Sequence, residues 1–472
     1  MSKKKILLLA DDLRMTSGIG TMSKEFVMGT MDKYDWVQIG GAIKHPEEGK
    51  VVNMDEVSAK ESGVSDAKLT IYPISGYGNQ ELLRNVIVRE KPDAILHYTD
   101  PRFWRWLYEM EHEVRQEMPI FYYNIWDDLP VPHYNEFFYE SCDLIMNISK
   151  QTVGIVNNAW KKNPPEDWQV TYVPHGINEK NFYPISIFDK EYDRVKGMKK
   201  QLTDDNVSFI MFYNARNIRR KMTADVILAF KTFCDKLSKE EADKCCLLMH
   251  TQPVDHNGTD LPAVIEAVCP DYKVYFSQNR LEPNQLNHLY NMADVTINIA
   301  SNEGFGLGTC ESLMAGTPII VNVTGGMQDQ CGFRLKKYSP EGSGYTNEYI
   351  SAKDYIEIGS LHDDRKWKDN PDLTHGDWVK PVWPSSRALM GSPQTPYIFD
   401  DRCRFDDVAE KMKEWYDMDA ELRIDCGMKG HEFVKEEKVM MSAKAMCQNF
   451  IDHMDKGFEM WKPRKPYSIF KA

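Results

Sequence analysis

Two glutamates eight positions apart, set among glycines, are the residues whose types and spacing point most directly to chemistry. The stretch NEGFGLGTCESLMAGTP, residues 302–318, contains Glu303 and Glu311. It follows VTINIA at 295–300, an apolar run typical of a buried strand, and it continues into a pattern typical of a helix. We therefore predict a glycine-rich loop that joins the carboxyl end of a strand to a helix N-terminus. Ligands of open α/β sheets bind at such places.

The residue types of this loop predict the kind of ligand. Free N–H groups and the helix dipole favour a phosphate, and glycines let a ligand approach the backbone. Carboxylates do not suit a phosphate, but they accept hydrogen bonds from hydroxyls, which a sugar and a ribose both offer. A ligand with hydroxyls at both ends and phosphate between them is a nucleotide sugar. The alternative interpretation is a tight strand–helix turn with solvated acids.

Short apolar runs that alternate with helical patterns supply the elements that must position this loop. Such runs are typical of strands buried on both faces, and the helices between them imply two parallel, doubly wound sheets. The first series is KILLLA (5–10), DAILHYT (93–99), IFYYNIW (120–126), LIMNIS (144–149) and VTYVPH (170–175). The second is SFIMFYNA (208–215), CLLMHTQ (246–252), KVYFSQ (273–278), VTINIA (295–300) and PIIVNV (318–323).

Length and composition restrict the class of protein. A chain of 472 residues exceeds the roughly 250–300 that one core supports, so two domains are expected. The net charge of −13 argues mildly against a broad nucleic-acid-binding surface. The N-terminal apolar run, residues 6–10, is too short for a signal peptide, and we see no membrane span. Ten cysteines without a CxxC motif indicate small buried side chains in a reducing cytoplasm.

Shifts in composition suggest the domain boundaries. The charged stretch that begins at residue 183 resembles an inter-domain linker, so we predict a first domain at 1–184 and a second at 185–440. Residues 328–395 carry little periodicity and are predicted to be an insertion in the second domain. The last segment, 441–472, has helical spacing of apolar residues and is expected to cross back onto the first domain.

Several blocks resemble retaining glycosyltransferases of family four, which have the GT-B fold and a glutamate-x7-glutamate motif. The resemblance implies an α/β protein in which two Rossmann-like domains face a cleft. It also implies sugar transfer, with retention, from a nucleotide-diphosphate sugar. The resemblance is dense from about 170 to 327 and weaker upstream. It rests on TSGIGTMSKEF (16–26), VPHGINEKNFYP (173–184), YNARNIRRKM (213–222), LEPNQLNHLYNMADV (281–295), the opening stretch and PIIVNVTGG (318–326).

The resemblance implies a role for each matched position. Arg216 and Lys221 would hold the diphosphate and offset charge on the leaving group, and Glu303 would bind hydroxyls of the donor sugar. Glu311 would bind the ribose. Backbone N–H groups would contact sugar and phosphate at Gly304, Phe305, Gly306 and Leu307, and Gly18 and Gly20 would face the phosphates from the first domain.

Simpler interpretations compete with some of these roles. Arg216 and Lys221 are alternatively interpreted as a solvated pair at the start of a helix. Arg219 and Arg220 are more simply interpreted as surface charges or as supporting ion pairs. The histidine that many family members carry near the reacting carbon has no clear counterpart.

In the first domain Asp127 is the candidate catalytic base, with a helix cap or ion pair as its alternative. Asp128 and His133 are candidate acceptor contacts. His97 lies near the end of the previous predicted strand, DAILHYT, and for His175 a structural role is expected.

No metal or other cofactor is implied besides the nucleotide sugar itself as co-substrate. The chain has one Asp-x-Asp sequence, at 417–419, in a charged helical region far from the donor motif. No His or Cys cluster has the spacing of a zinc site.

The acceptor is the least determined part of the prediction. The 328–395 segment mixes basic and aromatic residues, which suits phosphate and unstacked bases, stacked glycans or a packed flap. Two blocks, NIWDDLPVP (124–132) and GSPQTPYIFDD (391–401), resemble transferases of large bacteriophages, some of which glycosylate hydroxymethylated bases in DNA. We therefore expect hydroxymethylcytosine in double-stranded DNA as acceptor, in the host cytoplasm. The acceptor candidates of the segment are Trp378, Trp383, Lys336 and Lys337.

Other functions remain as alternatives. The same chemistry on a glycan, lipid or small molecule is one, and a non-catalytic GT-B protein that binds sugars or DNA is another. A nicotinamide dehydrogenase is disfavoured because SGIGTM, after the first strand, lacks the third glycine of the dinucleotide motif. UDP is the commonest donor nucleotide of the family. The sequence does not fix the sugar, hexose or pentose, nor the oligomeric state.

Overall fold

The computed structural model describes residues 3–338, 344–361 and 367–465. Within these ranges the chain forms two compact units. The first unit comprises residues 1–176, 392–396 and 443–472, and the second comprises 177–391 and 397–442. The first unit therefore ends eight residues before the expected boundary at 184, because the VPHGINEKNFYP block is shared between the two units.

The first unit is built on an eight-stranded sheet in the order β3-β4-β2-β1-β5-β6-β7-β8, parallel except for β3. Ile6–Leu9 have no exposed surface, as expected for a strand covered on both faces. The strands are β1 (Lys4–Asp11), β2 (Tyr34–Ala42), β3 (Val52–Asn53), β4 (Leu69–Ser75), β5 (Ala94–Tyr98), β6 (Ile120–Asn124), β7 (Leu144–Asn147) and β8 (Val170–Tyr172). The helices are α1 (Gly18–Gly29), α2 (Asp55–Ser62), α3 (Gln80–Glu90), α4 (Arg105–Glu109), α5 (Glu111–Val114), α6 (Glu136–Glu140) and α7 (Lys150–Ala159).

The last helix of the chain, α18 (Ala443–Met460), packs within the first unit. The ring of Phe450 stacks on Phe26 of α1 with centroids 4.7 Å apart. At Gly457 a side chain would come within 2.9 Å of Phe121, so the glycine allows a close approach to the sheet. The apolar face seen in the sequence is thus buried on helix α1 and strand β6. Residues 466–472, included in the expected C-terminal segment, lie outside the described residues.

The second unit has a parallel six-stranded sheet in the order β11-β10-β9-β12-β13-β17. The α/β class with two doubly wound sheets is thereby confirmed, and all ten predicted strands are present. The further strands are β9 (Phe209–Asn214), β10 (Cys245–His250), β11 (Lys273–Ser277), β12 (Val295–Asn298) and β13 (Ile319–Asn322). The helices are α8 (Tyr192–Leu202), α9 (Thr223–Cys234), α10 (Lys239–Ala242), α11 (Leu261–Val268), α12 (Pro283–Met292), α13 (Leu307–Met314), α14 (Met327–Gln330), α15 (Asp354–Ile358), α16 (Phe405–Tyr416) and α17 (Ala420–Lys435).

The segment 328–395 is more regular than its sequence indicated. One of its strands joins the main sheet beside β13, so the segment predicted as an insertion also contributes a strand to the sheet of the domain. That strand, VKPV, is short and contains Pro and Lys, residues that edge strands tolerate and that hide it from a search for apolar runs. Residues 339–343 and 362–366 of the segment lie outside the described ranges. The described strands are β14 (Arg334–Tyr338), β15 (Tyr345–Tyr349), β16 (Leu373–Thr374), β17 (Val379–Val382), β18 (Ser386–Ser392) and β19 (Thr395–Arg402).

Two broad features match the composition. All ten cysteines are buried and none forms a disulfide, consistent with small apolar side chains in the core. Within the described ranges, no helix combines the length and the apolar character needed to cross a membrane.

Candidate donor site

Two loops of the second unit meet at the carboxyl edge of its sheet. Strands β9 and β12 are paired neighbours, and the loops that follow them contain Arg216–Lys221 and Ser301–Gly306. The Ser301 N–H donates to the Arg220 carbonyl at 2.8 Å, and the Arg220 guanidinium donates to the Asn302 carbonyl at 2.7 Å. The fold therefore brings residues about 80 positions apart into one site.

Lys221 and Glu303 form an ion pair at the centre of this site. Their side chains are only 12% and 11% exposed, and Arg220 lies 3.7 Å from the same carboxylate. Burial alone would raise the pKa of Glu303, but the charges of Lys221 and Arg220 outweigh it and hold that pKa below its ordinary value. Glu303 is therefore ionised at neutral pH. Arg220 forms a supporting ion pair with Glu303, which is one of the two roles expected for it from the sequence.

Arg216 lies at the same edge of the sheet in a different environment. Its side chain is 64% exposed, and its Nε donates to the Asp255 carboxylate at 3.0 Å. The structure thus places Lys221, but not Arg216, in direct contact with Glu303. An exposed guanidinium with a single acidic partner keeps most of its five N–H donors available for a phosphate.

The glycine-rich loop is held in a tight conformation that leads into helix α13. Gly306, the N-cap residue of α13, has φ +87°, which a side chain would strain. A side chain at Gly326 would come within 2.2 Å of the Gly304 carbonyl. The Gln330 amide donates to the carbonyls of Phe305 and Gly306 at 2.6 and 2.9 Å. These contacts direct the carbonyls inward, and the first N–H groups of α13, from Leu307 on, have no partner within the helix.

Glu311, on α13, is anchored by residues that the sequence did not single out. The Tyr290 hydroxyl donates to Glu311 Oε2 at 2.7 Å, and the Asn214 amide donates to that hydroxyl at 2.7 Å. Burial raises the pKa of Glu311 to about 7, although the Tyr290 hydrogen bond opposes the shift. At neutral pH Glu303 is therefore ionised and Glu311 about half ionised, although both belong to the same motif.

Sequence reasoning missed Asn214, Tyr290 and Gln330. One signal was available for Tyr290, because it lies in the block at 281–295 that resembles the family. For Asn214 the signal was its position as the last residue of a strand, where side chains face the ligand edge. Gln330 carried no signal, because it acts through the backbone of a loop 25 residues away.

In the first unit, Gly18 and Gly20 lie at the start of α1, directly after β1. The Ser17 hydroxyl caps this helix by accepting from the Gly20 N–H at 3.0 Å. A side chain at Gly20 would come within 2.4 Å of the Met15 carbonyl oxygen, so the backbone at this position has no room for a residue other than glycine. Gly18 is exposed at the helix N-terminus.

Asp127, Asp128 and His133 lie in the loop that follows β6. The carbonyl of Asp127 accepts from the Gln151 amide, and that of Asp128 accepts from the Trp126 indole, both at 2.8 Å. His133 is exposed and begins a short 3-10 turn. The loop is therefore fixed through its backbone, while the side chains of Asp127 and Asp128 are half-buried at the carboxyl edge of the sheet.

Two further histidines of the first unit are structural. His97 has no exposed surface, bonds to the Tyr108 hydroxyl at 2.6 Å and has a pKa lowered by burial to about 3. His97 therefore stays neutral. The sequence left it as a candidate for the site, but its buried ring offers no group to the surface. His175 is buried between the hydroxyls of Tyr98 and Tyr123.

The candidate acceptor residues of the 328–395 segment require a correction. Trp378 is 6% exposed, stacks on Phe433 with centroids 4.4 Å apart and donates to the Gln330 carbonyl at 2.9 Å. Its ring is part of the core and is not available to stack on a base. Trp383 is half-buried, with its ring centroid 5.9 Å from that of Phe333.

The lysines of this segment are matched by nearby acids. Lys336 lies 3.8 Å from Asp372, and Lys337 lies 3.3 Å from Glu348. Their charge is therefore largely neutralised within the segment. Two further basic residues of the segment, Arg365 and Lys366, lie outside the described residues.

No group of three or more potential metal ligands occurs among the residues that the structure describes. The two aspartates of the Asp-x-Asp sequence at 417–419 have structural roles. Asp417 pairs with Lys413, and Asp419 caps helix α17 by accepting from backbone N–H groups.

Comparison with known proteins agrees with this geometry. Residues 194–332 match the sequence model of the family described as Glycosyl transferases group 1. The alpha-monoglucosyldiacylglycerol synthase of Acholeplasma laidlawii is 27% identical over 195 residues, which cover 37% of this chain and 46% of that enzyme. The chain thus aligns with about half the length of this curated relative.

Solved structures resemble the whole chain. Anabaena Alr3699/HepE, in complex with UDP and glucose, has a TM-score of 0.63 at 11% identity and covers 96% of this chain and all of its own. Sucrose-phosphate synthase from Thermosynechococcus elongatus has a TM-score of 0.63 at 13% identity, covering 97% of this chain and all of its own. Residues 194–332 are therefore similar to the glycosyl transferases group 1 family, and the chain as a whole has the GT-B fold.

Proposed function

We propose that this chain is a glycosyltransferase that uses a nucleotide-diphosphate sugar, preferentially UDP-linked, as donor. One observation carries the proposal. Lys221 and an ionised Glu303 lie beside a glycine-rich loop at the N-terminus of α13, and Glu311 lies about one turn into that helix. This arrangement offers cationic and N–H groups for a diphosphate and carboxylates for hydroxyls on either side. The UDP and glucose bound in the HepE structure support the same class of donor.

The chemistry assigned to each residue follows from its environment. In the proposed reaction the bond between the sugar C1 and the diphosphate oxygen breaks while the acceptor oxygen bonds to C1. Lys221, Arg216 and the N–H groups of Gly304–Leu307 offset the charge that develops on the departing diphosphate. Glu303 accepts hydrogen bonds from donor-sugar hydroxyls, and Glu311 accepts from the ribose. Gly18 and Gly20 are proposed as further phosphate contacts.

We propose that transfer proceeds with retention of the anomeric configuration. In a front-face mechanism the acceptor hydroxyl attacks on the side from which the diphosphate leaves, and its proton passes to the leaving phosphate oxygen or to a base. Such a mechanism needs no protein nucleophile. Asp127 is the proposed base because it lies half-buried at the carboxyl edge of the first unit. Proton NMR of the product anomer, compared with the donor, distinguishes retention from inversion.

The donor assignment is tested by incubating the purified chain with a panel of nucleotide sugars. We expect slow release of nucleoside diphosphate without acceptor, because water substitutes for the acceptor hydroxyl, and a Lys221→Ala variant should lose it. A chain that binds sugars or DNA without catalysis would release no nucleoside diphosphate under any condition and would overturn the enzyme proposal.

For the acceptor we propose a hydroxyl of a modified base, hydroxymethylcytosine, in double-stranded phage DNA. The support is the likeness of NIWDDLPVP (124–132) and GSPQTPYIFDD (391–401) to transferases of large bacteriophages. The base would have to leave the duplex stack, at a cost of a few kcal/mol. Asp128, His133 and Trp383 are the proposed acceptor contacts, whereas the core position of Trp378 and the paired Lys336 and Lys337 no longer support this proposal.

A lipid acceptor is the second candidate, and the curated relative favours it, because its name describes a synthase of a glucosyldiacylglycerol. Transfer assays at fixed ionic strength should compare hydroxymethylcytosine DNA, unmodified DNA, diacylglycerol vesicles and small sugars. Transfer to modified DNA alone would support the first candidate. Transfer to lipid or sugar alone would end the DNA proposal and leave the donor assignment intact.

A further inference from the structure

A hydrogen-bonded chain of three side chains leads from the end of strand β9 to the second glutamate of the motif. The Asn214 amide nitrogen lies 2.7 Å from the Tyr290 hydroxyl, which lies 2.7 Å from Glu311 Oε2. The three residues come from β9, α12 and α13, so each belongs to a different element of the second unit. Such an arrangement is rigid, because no member can move without leaving a polar group unpaired.

The direction of the protons in this chain is fixed by chemistry. The side-chain nitrogen of Asn214 only donates, so the Tyr290 oxygen must accept from it. The Tyr290 proton then points to Glu311, which as a carboxylate only accepts. One oxygen of Glu311 is thereby held in place, and the remaining lone pairs of the carboxylate stay available for a ligand.

Packing around the chain keeps Tyr290 in position. Tyr290 has no exposed surface, and the ring of Phe212 meets it edge-on with centroids 5.2 Å apart. A side chain at Gly308 would come within 3.1 Å of the Asn214 carbonyl and 3.3 Å of the Tyr290 hydroxyl. Gly308, in the first turn of α13, therefore leaves room for the contact between Asn214 and Tyr290.

We propose that Asn214 and Tyr290 are positioning residues that orient Glu311 so that it selects a ribose over a deoxyribose on the bound nucleotide. The inference rests on the proposed function, in which Glu311 accepts hydrogen bonds from the ribose. An oriented carboxylate can accept from both hydroxyls of a cis-diol, and a nucleotide without the 2′-hydroxyl leaves one of these acceptor positions unpaired. Selectivity therefore depends on the orientation as well as on the presence of the carboxylate.

The charge of Glu311 depends on the same contact. Burial raises the pKa of Glu311, and the hydrogen bond from Tyr290 lowers it, which brings it to about 7. Without the hydroxyl the carboxyl group would take up a proton more readily and would turn from an acceptor of two bonds into a donor at one oxygen. The hydrogen bond from Tyr290 thus favours the ionised carboxylate of Glu311, which is the form that can accept hydrogen bonds from a diol.

The test is calorimetric titration of the full chain with UDP and with 2′-deoxy-UDP at pH 8. For the wild-type chain we expect deoxy-UDP to bind about 10- to 100-fold more weakly, the scale of one hydrogen bond to a charged group. In Tyr290→Phe this ratio should fall below about threefold, mainly through weaker binding of UDP. Asn214→Asp should act in the same direction, because an acidic side chain draws the Tyr290 proton away from Glu311.

A matched control is Tyr272→Phe, which removes a hydroxyl–carboxylate bond of 2.8 Å to Asp235 elsewhere in the same unit. It should leave the UDP to deoxy-UDP ratio unchanged. A purely structural role for Tyr290 would weaken both ligands equally and leave the ratio intact, and that result would overturn the inference. If the wild-type chain binds neither ligand nor any other nucleoside diphosphate, the proposed function fails instead.

Discussion

The carboxyl edges of the two sheets use charged residues in different ways. In the first unit Asp12 pairs with Arg14 and Asp100 with Arg102, two positions apart in each case, and Arg14 also pairs with Glu47, 33 positions away. In the second unit Lys221 pairs with Glu303, 82 residues away, and both come from loops that end neighbouring strands. Pairs within one loop stabilise that loop, whereas a pair between loops requires the whole sheet to assemble it.

The difference indicates where the chemistry lies. Asp12 has no exposed surface, and its two carboxylate oxygens are held by Arg14, two positions away, and by His45, which lies 33 positions away at 3.1 Å. Burial raises the pKa of Asp12, but Arg14 and His45 outweigh it and the pKa lies below its ordinary value. Glu303 has the same direction of shift, but its partners are groups that a diphosphate would attract away. We expect the first pair to matter for stability and the second for turnover.

The largest effect is expected for Lys221→Ala. Loss of one preorganised group that stabilises developing charge lowers kcat by roughly 10²–10³. Steady-state kinetics with a saturating nucleotide sugar measures it. Lys231→Ala, which breaks an exposed pair with Asp235 in the same unit, is the matched control and should keep wild-type turnover. Wild-type kcat in Lys221→Ala would mean that the Lys221–Glu303 pair is structural, like those of the first unit.

Arg216→Ala is expected to lower kcat on the same scale, roughly 10²–10³, if its exposed guanidinium takes a diphosphate oxygen. Arg219→Ala, three positions away and also exposed, serves as the control. Equal activity of the two variants would confine the cationic contribution of this loop to Lys221.

Glu311→Ala should weaken nucleotide binding more than it lowers kcat. Because the pKa of Glu311 is about 7, the carboxylate that we propose as acceptor for the ribose hydroxyls is lost as the pH falls below that value. UDP should therefore bind about tenfold more weakly at pH 6 than at pH 8, measured by titration calorimetry. Glu311→Gln removes this group from the pH dependence and leaves the titration of the phosphate itself. The same pH dependence in wild type and Glu311→Gln would contradict the assignment.

The raised pKa of Glu311 also makes the free energy of unfolding depend on pH. The ordinary pKa of 4.5 lies below the folded value of about 7, so the native state holds more protons between these pH values than the unfolded chain. The contribution of Glu311 to the free energy of unfolding is therefore fully present below pH 4.5 and is lost as the pH rises towards 7.

Arg14→Ala addresses the other side of the comparison. It leaves the buried Asp12 with fewer partners and should lower the free energy of unfolding by about 1–3 kcal/mol. Chemical denaturation monitors the stability, and calorimetry with UDP monitors the second unit. Reduced stability with unchanged UDP affinity is the expected result. An unchanged free energy of unfolding would show that the pair does not stabilise the first unit.

The smallest effect is expected for metal removal. In the proposed function Lys221, Arg216 and the N-terminus of α13 offset the charge of the diphosphate, so we expect the chemical step to need no divalent ion. Activity in the presence of a chelator should equal that of the untreated protein. Complete loss that magnesium or manganese reverses would contradict the account.

Most strands of the two main sheets were predictable because they are short apolar runs buried on both faces. Strands β2 and β4 were missed, since β2 contains paired glycines and Gln38, whose amide is buried and bonds to the Asp11 carbonyl. Strand β17 was missed because an edge position tolerates Pro381 and Lys380. Sequence patterns report burial along one segment, and these strands depend on partners elsewhere in the chain.

The candidate donor site was predictable to a similar degree. Glu303, Glu311 and the glycines form one continuous stretch, and the fold places Lys221 beside them as expected. The Asn214–Tyr290 contact was not predictable, because a hydrogen bond between β9 and α12 leaves no trace in either segment alone. Trp378 was misjudged for the opposite reason, since an aromatic residue in a loop-like sequence can still fill a core.

The central claim, that Lys221, Glu303 and Glu311 form a donor site for a nucleotide sugar, is most directly tested by equilibrium binding. Titration calorimetry of the wild-type chain with a panel of nucleoside diphosphates and their sugars should give saturable binding of at least one pair. Glu311→Ala should weaken both members of that pair, and Glu303→Gln should weaken the sugar-bearing form only. A wild-type chain that binds none of the panel, or variants that bind all of it as the wild type does, would contradict the account.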